Sequence, residues 1–144
     1  MVNVEGLELP NDLYYWPRGL TWARKEGEDK IRVGLTDLAQ KVSGKVLVVR
    51  MRKPGAEVQQ GAPLASMETG KWVGSIESPV SGIIVELNEE LKAKPGVINK
   101  DPYGKGWLMT LKPSNLAEDL KGLTWNGNSE AVEWYKSEIK RRVK

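Results

Sequence analysis

The strongest constraint on the fold is a punctuation repeat in the middle of the chain. Val42-Ser43-Gly44, a β-rich run and Lys53-Pro54-Gly55 recur as Val80-Ser81-Gly82, a second β-rich run and Lys94-Pro95-Gly96. The offset is 38 residues at the first motif (80 − 42) and 41 at the second (94 − 53), which leaves a three-residue insertion in the second unit. Two short β units with the same punctuation predict two quasi-equivalent halves. Such halves bury their apolar faces against each other as a flattened barrel or sandwich.

Between the repeats runs Ser66-Met67-Glu68-Thr69-Gly70-Lys71-Trp72-Val73-Gly74-Ser75, with extended apolar-leaning segments on both sides of Glu68 to Lys71. Gly70 offers the backbone freedom of a tight turn, so the spacing predicts a hairpin with Lys71 at its tip. From spacing alone two readings stand: a solvated surface lysine, or an attachment point presented by a rigid β scaffold.

Composition bears on that choice, because the 144 residues contain no cysteine and no histidine. The chain has no thiolate nucleophile, lacks the usual zinc ligands, and lacks the side chain that titrates near neutrality. No pair of carboxylates or lysines stands out as a catalytic acid and base. Redox or acyl-transfer chemistry therefore has to be borrowed. A lysine amine can be acylated to carry a prosthetic group, and here that would change the formal charge from +3 to +2. No metal site is expected.

The net charge of +3 is modest and the 22 basic residues are interleaved with 19 acidic ones. The dense basic cluster, Lys140-Arg141-Arg142-Lys144, reads as cations at the negative end of a helix, so no nucleic-acid partner is expected. No apolar run approaches the roughly 20 residues of a membrane span. Glu5 and Glu8 also stand where a signal peptide would be basic and then apolar. The expectation is a soluble, cytoplasmic protein without a membrane partner; the absence of cysteine agrees with a reducing compartment.

Local signals fill in the rest. Residues 1–18 read as an irregular N-terminal arm packed over the domain, with Leu13-Tyr14-Tyr15-Trp16 as its anchor. Residues 20–25 and 31–35 alternate around the polar turn Glu26-Gly27-Glu28-Asp29, a hairpin signal. Thr36 is an N-cap with Asp37 in the first turn, so a short helix should run to Ser43-Gly44. Ile98 to Gly106 reads as a turn-rich loop and Trp107 to Leu111 as the last strand. Asn115 should cap a short helix from Leu116 to Lys121, with Gly122 to Gly127 as a break. Ser129 should cap a final helix to about Arg142 that docks through Val132, Tyr135 and Ile139. The expected organisation is an arm at 1–18, a β domain at 19–113 and C-terminal helices at 114–144.

With these residues laid out, the chain resembles the H protein of the glycine cleavage system, a carrier of covalently bound lipoate. Glu68-Thr69-Gly70-Lys71 followed by Pro79-Val80-Ser81-Gly82 matches that family in spacing and order. Val33 to Gln40 and Asn99 to Leu108 match as well, and the resemblance spans roughly residues 18–142. It implies a mainly β barrel-sandwich hybrid of the lipoyl/biotinyl type, with C-terminal helices and covalent lipoate on Lys71. The protein would be a substrate of other enzymes and not a catalyst. Glu68, Gly70 and Gly74 would shape the hairpin for the lipoate-attaching enzyme, or serve as ordinary turn residues. Trp72 would cover the arm, or simply pack on the hairpin.

Two branches of the family imply different cargo. Members that serve glycine cleavage usually have Ser-His-Glu-Trp where this chain has Gly19-Leu20-Thr21-Trp22, and a polar or acidic pair where it has Gly74-Ser75. A cationic aminomethyl group in a cleft needs an acceptor or carboxylate, and Leu20 and Thr21 supply no carboxylate. The segments Gly70 to Gly74 and Leu9 to Tyr15 look more like the H-like lipoate-binding proteins of sulfur-oxidising prokaryotes. That branch implies a dithiol carrying a sulfur species to a heterodisulfide-reductase-like complex. The alternative is an aminomethyl carrier between glycine decarboxylase and aminomethyltransferase. Dihydrolipoyl dehydrogenase is an expected partner. A further alternative is an unmodified partner of a lipoyl ligase, or an acyltransferase regulator that uses the same surface.

Overall fold

The computed structural model describes residues 2–125 and 129–143. Its largest sheet has seven strands in the order β12 (Thr124–Trp125), β3 (Tyr14–Trp16), β4 (Thr21–Lys25), β5 (Ile31–Leu35), β11 (Met109–Pro113), β10 (Gly82–Leu87) and β7 (Glu57–Val58). A second sheet runs β6 (Val46–Met51), β8 (Pro63–Thr69), β9 (Val73–Glu77), and β1 (Val2–Val4) pairs β2 (Leu7–Leu9). Among the described residues there are also five α-helices, α1 (Asp37–Ser43), α2 (Glu90–Ala93), α3 (Val97–Lys100), α4 (Leu116–Asp119) and α5 (Ser129–Arg142), and a short 3-10 helix at Leu120–Gly122. No helix among the described residues is long and apolar enough to cross a membrane.

The repeat falls where two halves require it. Gly44 precedes β6 and Gly82 opens β10, and the two strands lie in different sheets. Their apolar faces share one core, with Met67 and Ile76 from the smaller sheet and Ile84 and Leu111 from the larger. The extra residues of the second unit are accommodated by α2, which stands between β10 and Lys94-Pro95-Gly96. No helix separates β6 from Lys53-Pro54-Gly55.

Helix α1 spans seven residues, too short to hold itself, and each amide of its first turn has a partner from elsewhere. Thr36 Oγ1 accepts from the Ala39 amide at 3.1 Å, and the Thr36 carbonyl accepts from Gln40 at 3.2 Å. Tyr103 Oη accepts from the Asp37 amide at 2.8 Å, and Tyr135 Oη accepts from the Leu38 amide at 2.9 Å. Both tyrosines donate to the Glu8 carbonyl, at 2.8 and 3.1 Å, and Asp37 Oδ2 accepts from the Glu8 amide. Two distant aromatic residues thus clamp β2 onto the start of α1. The predicted stripe on α5 supplies one of them, since Tyr135 is fully buried and Ile139 nearly so.

The structure differs from the sequence reading at both ends. Residues 2–18 are not irregular: β3 pairs with β4 inside the large sheet, and Leu9, Leu13 and Tyr15 are fully buried. Within the stretch read as a break, β12 pairs with β3, so β11 is not the last strand. Positions 126–128 of that stretch lie outside the described residues. These strands are two or three residues long. Such segments carry no periodicity of their own and form because a neighbouring edge is waiting to be paired. Asn115 stands at the start of α4 without a side-chain cap bond, and Ser129 is the first residue of α5.

Burial pushes the Tyr135 hydroxyl up to about 12, and raises that of Tyr103 well above the usual 10. Between about 10 and about 12 the folded state keeps protons that unfolded tyrosines release, so their stabilisation is full below 10 and is lost as pH rises through that window. Tyr135→Phe should lower the unfolding free energy by ~1–3 kcal/mol, because the Leu38 amide loses its acceptor. It should also weaken the alkaline loss of stability. Denaturant titrations at about pH 8 and about pH 11 check both; a variant that matches the parent at both would contradict the clamp.

Candidate functional site

The hairpin of β8 and β9 is held in register by pairs from Pro63↔Glu77 to Glu68↔Val73. Its two-residue loop, Gly70 and Lys71, is closed by a 2.8 Å bond from the Thr69 amide to the Trp72 carbonyl. Thr69 Oγ1 accepts from the Lys71 amide at 3.2 Å and donates to the Ser43 carbonyl at 2.7 Å. The loop is thereby fastened to the C-terminal end of α1. Asn99 fixes the same joint: its amide donates to the Gly44 carbonyl and to Gln40 Oε1, while its Oδ1 accepts from the Val46 amide.

Lys71 is exposed at the tip and makes no ion pair among the described residues. Its aliphatic stem lies across Gly44, where a Cβ would meet Lys71 Cε at 2.9 Å. With φ at +89° Gly44 also adopts a backbone conformation that favours glycine, so the C-cap of α1 is a glycine for two reasons. Gly70, expected to need turn freedom, has a φ outside the left-handed region and open space where a Cβ would be. The constrained glycine of the hairpin is Gly74, where a Cβ would run into the Trp72 indole folded back over it. Glu68 is half-buried on β8 opposite Val73 and does not pair with the lysine.

Beside the hairpin opens a cavity of about 340 Å³, within the range of small-ligand sites. Trp72 and Met67 form part of its wall, with Leu20 from the β3–β4 turn and Val42 from α1. Leu20 has φ +55°, a strained value for leucine, and its carbonyl accepts from both the amide and the hydroxyl of Thr36 at 3.0 Å. Glu77 is the one carboxylate lining the cavity, and it is committed. Its Oε1 accepts from Trp16 Nε1 at 2.7 Å and from Arg18 Nε at 3.0 Å. A second cavity of about 310 Å³ adjoins it through Val42 and Arg142 and is lined by Lys71 itself and Lys41.

Sequence reasoning missed Thr69 as the fastener, Asn99 as the staple, and the Arg18, Glu77 and Arg142 surroundings. Arg142 was visible only as a helix-terminal cation. The other contacts join residues 26 to 61 positions apart and leave no local signal.

The geometry thus presents an exposed lysine amine on a braced β hairpin, with a cavity of about 340 Å³ beside it. Among the described residues no cluster of metal-ligating side chains accompanies it. The glycine cleavage H-protein family matches residues 13–137. A protein of Saccharolobus solfataricus described as probable glycine cleavage system H protein 2 is 49% identical over 125 residues, 85% of this chain and 84% of its own. Glycine cleavage system H protein 2 of Aquifex aeolicus is 42% identical over 136 residues, 94% of this chain and 83% of its own. The crystal structure of a glycine cleavage system H protein from Mycobacterium marinum superposes with a TM-score of 0.75 at 28% identity, over 90% of this chain and 98% of that one.

The chain belongs to the glycine cleavage H-protein family. It has the family's barrel-sandwich fold and is a lipoyl carrier without catalysis of its own, its cofactor a covalently attached lipoate.

Thr69→Val keeps the shape of the side chain and removes the hydroxyl that ties the loop to α1. The Lys71 amide then loses its acceptor, and its hydrogen exchange should accelerate roughly tenfold, with a stability loss of ~1–3 kcal/mol. Unchanged exchange at Lys71 would show that the loop is held by something else.

Proposed function

We propose that Lys71 bears the lipoyl group and that the chain shuttles a sulfur-bound cargo without an amine between enzymes of sulfur oxidation. The observation that carries this reading is the commitment of Glu77: the cavity beside the hairpin has no unpaired carboxylate for an ammonium. An aminomethyl group there would be a cation beside Arg18 and Arg142, which is unfavourable without a partner of opposite charge. Leu20, strained and buried, lies where a polar residue would be needed. Aquifex aeolicus is represented among the relatives by H proteins numbered 2, 3 and 5, which leaves room for a division of labour.

Bound lipoate supplies a two-electron thiol/disulfide couple and a thiol handle. The chain's residues do the rest. The α1 joint fixes the base of the hairpin, while Gly70 and the exposed Lys71 leave the amine open to the attaching enzyme. Trp72, 41% exposed, and Val73, 73% exposed, give that enzyme an apolar edge to grip, with Glu68 and Gly74 setting its shape. Trp72 and Met67 offer a polarisable wall for sulfur. The carrier machinery lies in residues 19–113, and the described parts of segments 1–18 and 114–144 brace it. The partners in this reading are a lipoate-attaching enzyme, dihydrolipoyl dehydrogenase and a heterodisulfide-reductase-like complex in the cytoplasm.

The family's own description favours a second reading, an aminomethyl carrier for glycine decarboxylase and aminomethyltransferase. The lipoylated chain incubated with glycine decarboxylase and labelled glycine separates the two. The proposal predicts loading far below that of an H protein that serves glycine cleavage, and efficient transfer of label would defeat it.

A further inference from the structure

We propose that Arg142, at the C-terminal end of α5, makes the cleft beside Lys71 a receptor for a negatively charged group on the lipoyl arm. The inference rests on the reading of Lys71 as the attachment point and adds the chemical class of the cargo: a sulfur-bound group that ends in an anion. Arg142 is the one charged residue shared by the two adjoining cavities, the one walled by Trp72 and the one lined by Lys71. Four cationic side chains, Arg18, Lys41, Lys71 and Arg142, line the two together, against the single carboxylate of Glu77.

The arginines differ in what they have left to offer. Arg18 is engaged by Glu77 and by the Gly61 carbonyl. Arg142 donates from Nε to Glu138 Oε1 at 2.7 Å, and that same oxygen accepts from Arg141 Nη2 at 2.9 Å. One carboxylate oxygen therefore serves two guanidiniums and does not neutralise both. The planar fork of a guanidinium suits sulfonate or carboxylate oxygens. Acylation removes the ammonium of Lys71, so the modified chain keeps Lys41 and Arg142 as the cations of the cavity that Lys71 lines. A cationic cargo would be repelled from the same place.

The absence of cysteine and histidine makes the test clean, because thiol-directed alkylation reaches only the reduced arm. The full chain is lipoylated, checked by intact mass, reduced, and capped on both arm thiols with iodoacetate, iodoacetamide or 2-bromoethylamine. Each thiolate displaces halide and becomes a thioether that is anionic, neutral or cationic. Thermal unfolding and the Trp72 indole N–H resonance are then compared. The proposal expects the carboxymethyl chain to melt several degrees above its carbamidomethyl isostere, with a shifted Trp72 signal, and the aminoethyl chain to show neither. Arg142→Glu should abolish the difference and Arg142→Lys retain most of it, a charge dependence that a structural role would not produce. Equal melting and an unmoved Trp72 for all three caps, or stabilisation by the aminoethyl cap, would overturn it. A chain that takes no lipoyl mass would overturn the attachment reading, and the inference with it.

Discussion

The lysine's position depends on one short hydrogen bond, from the Thr69 hydroxyl to the Ser43 carbonyl at 2.7 Å. It joins the loop of the hairpin to the last turn of α1, a helix too short to persist alone. The helix is held in turn at its first turn by Tyr103 and Tyr135, and at its last by Asn99. Elements from the N-terminal hairpin, the 97–100 helix and the C-terminal helix thus converge on one seven-residue segment. A tethered arm needs such a base, because a mobile group is delivered reliably only when its root does not wander.

The parts legible in the sequence are those whose cause is local. The cap at Thr36, the alternation of 20–25 and 31–35, and the punctuation before β6 and β10 each predict an element that is present. The hairpin with Lys71 at its tip follows the same way. What escaped prediction is held by distant partners: β3 is a strand because it pairs with β4, β12 because it pairs with β3, and Asn99 matters because Gly44 lies beside it. Glycine was the subtler case. Gly70 reads as the turn residue by position, yet the glycine with a steric reason is Gly74, and that reason is the ring of Trp72 two residues earlier.

The same contacts set the chemistry of the cleft. A chain without thiol or imidazole has no reactive group to protect, so its site is built from packing and charge. Glu77 Oε1 accepts from Trp16 and Arg18, which ties the end of β9 to β3 and the turn that follows it.

Peptide mapping of the lipoylated chain by tandem mass spectrometry tests the central claim most directly. The account predicts the lipoyl mass on Lys71 alone among the 22 basic residues, and no modification in Lys71→Arg. Lipoyl mass on any other lysine, or its persistence in that variant, would contradict it.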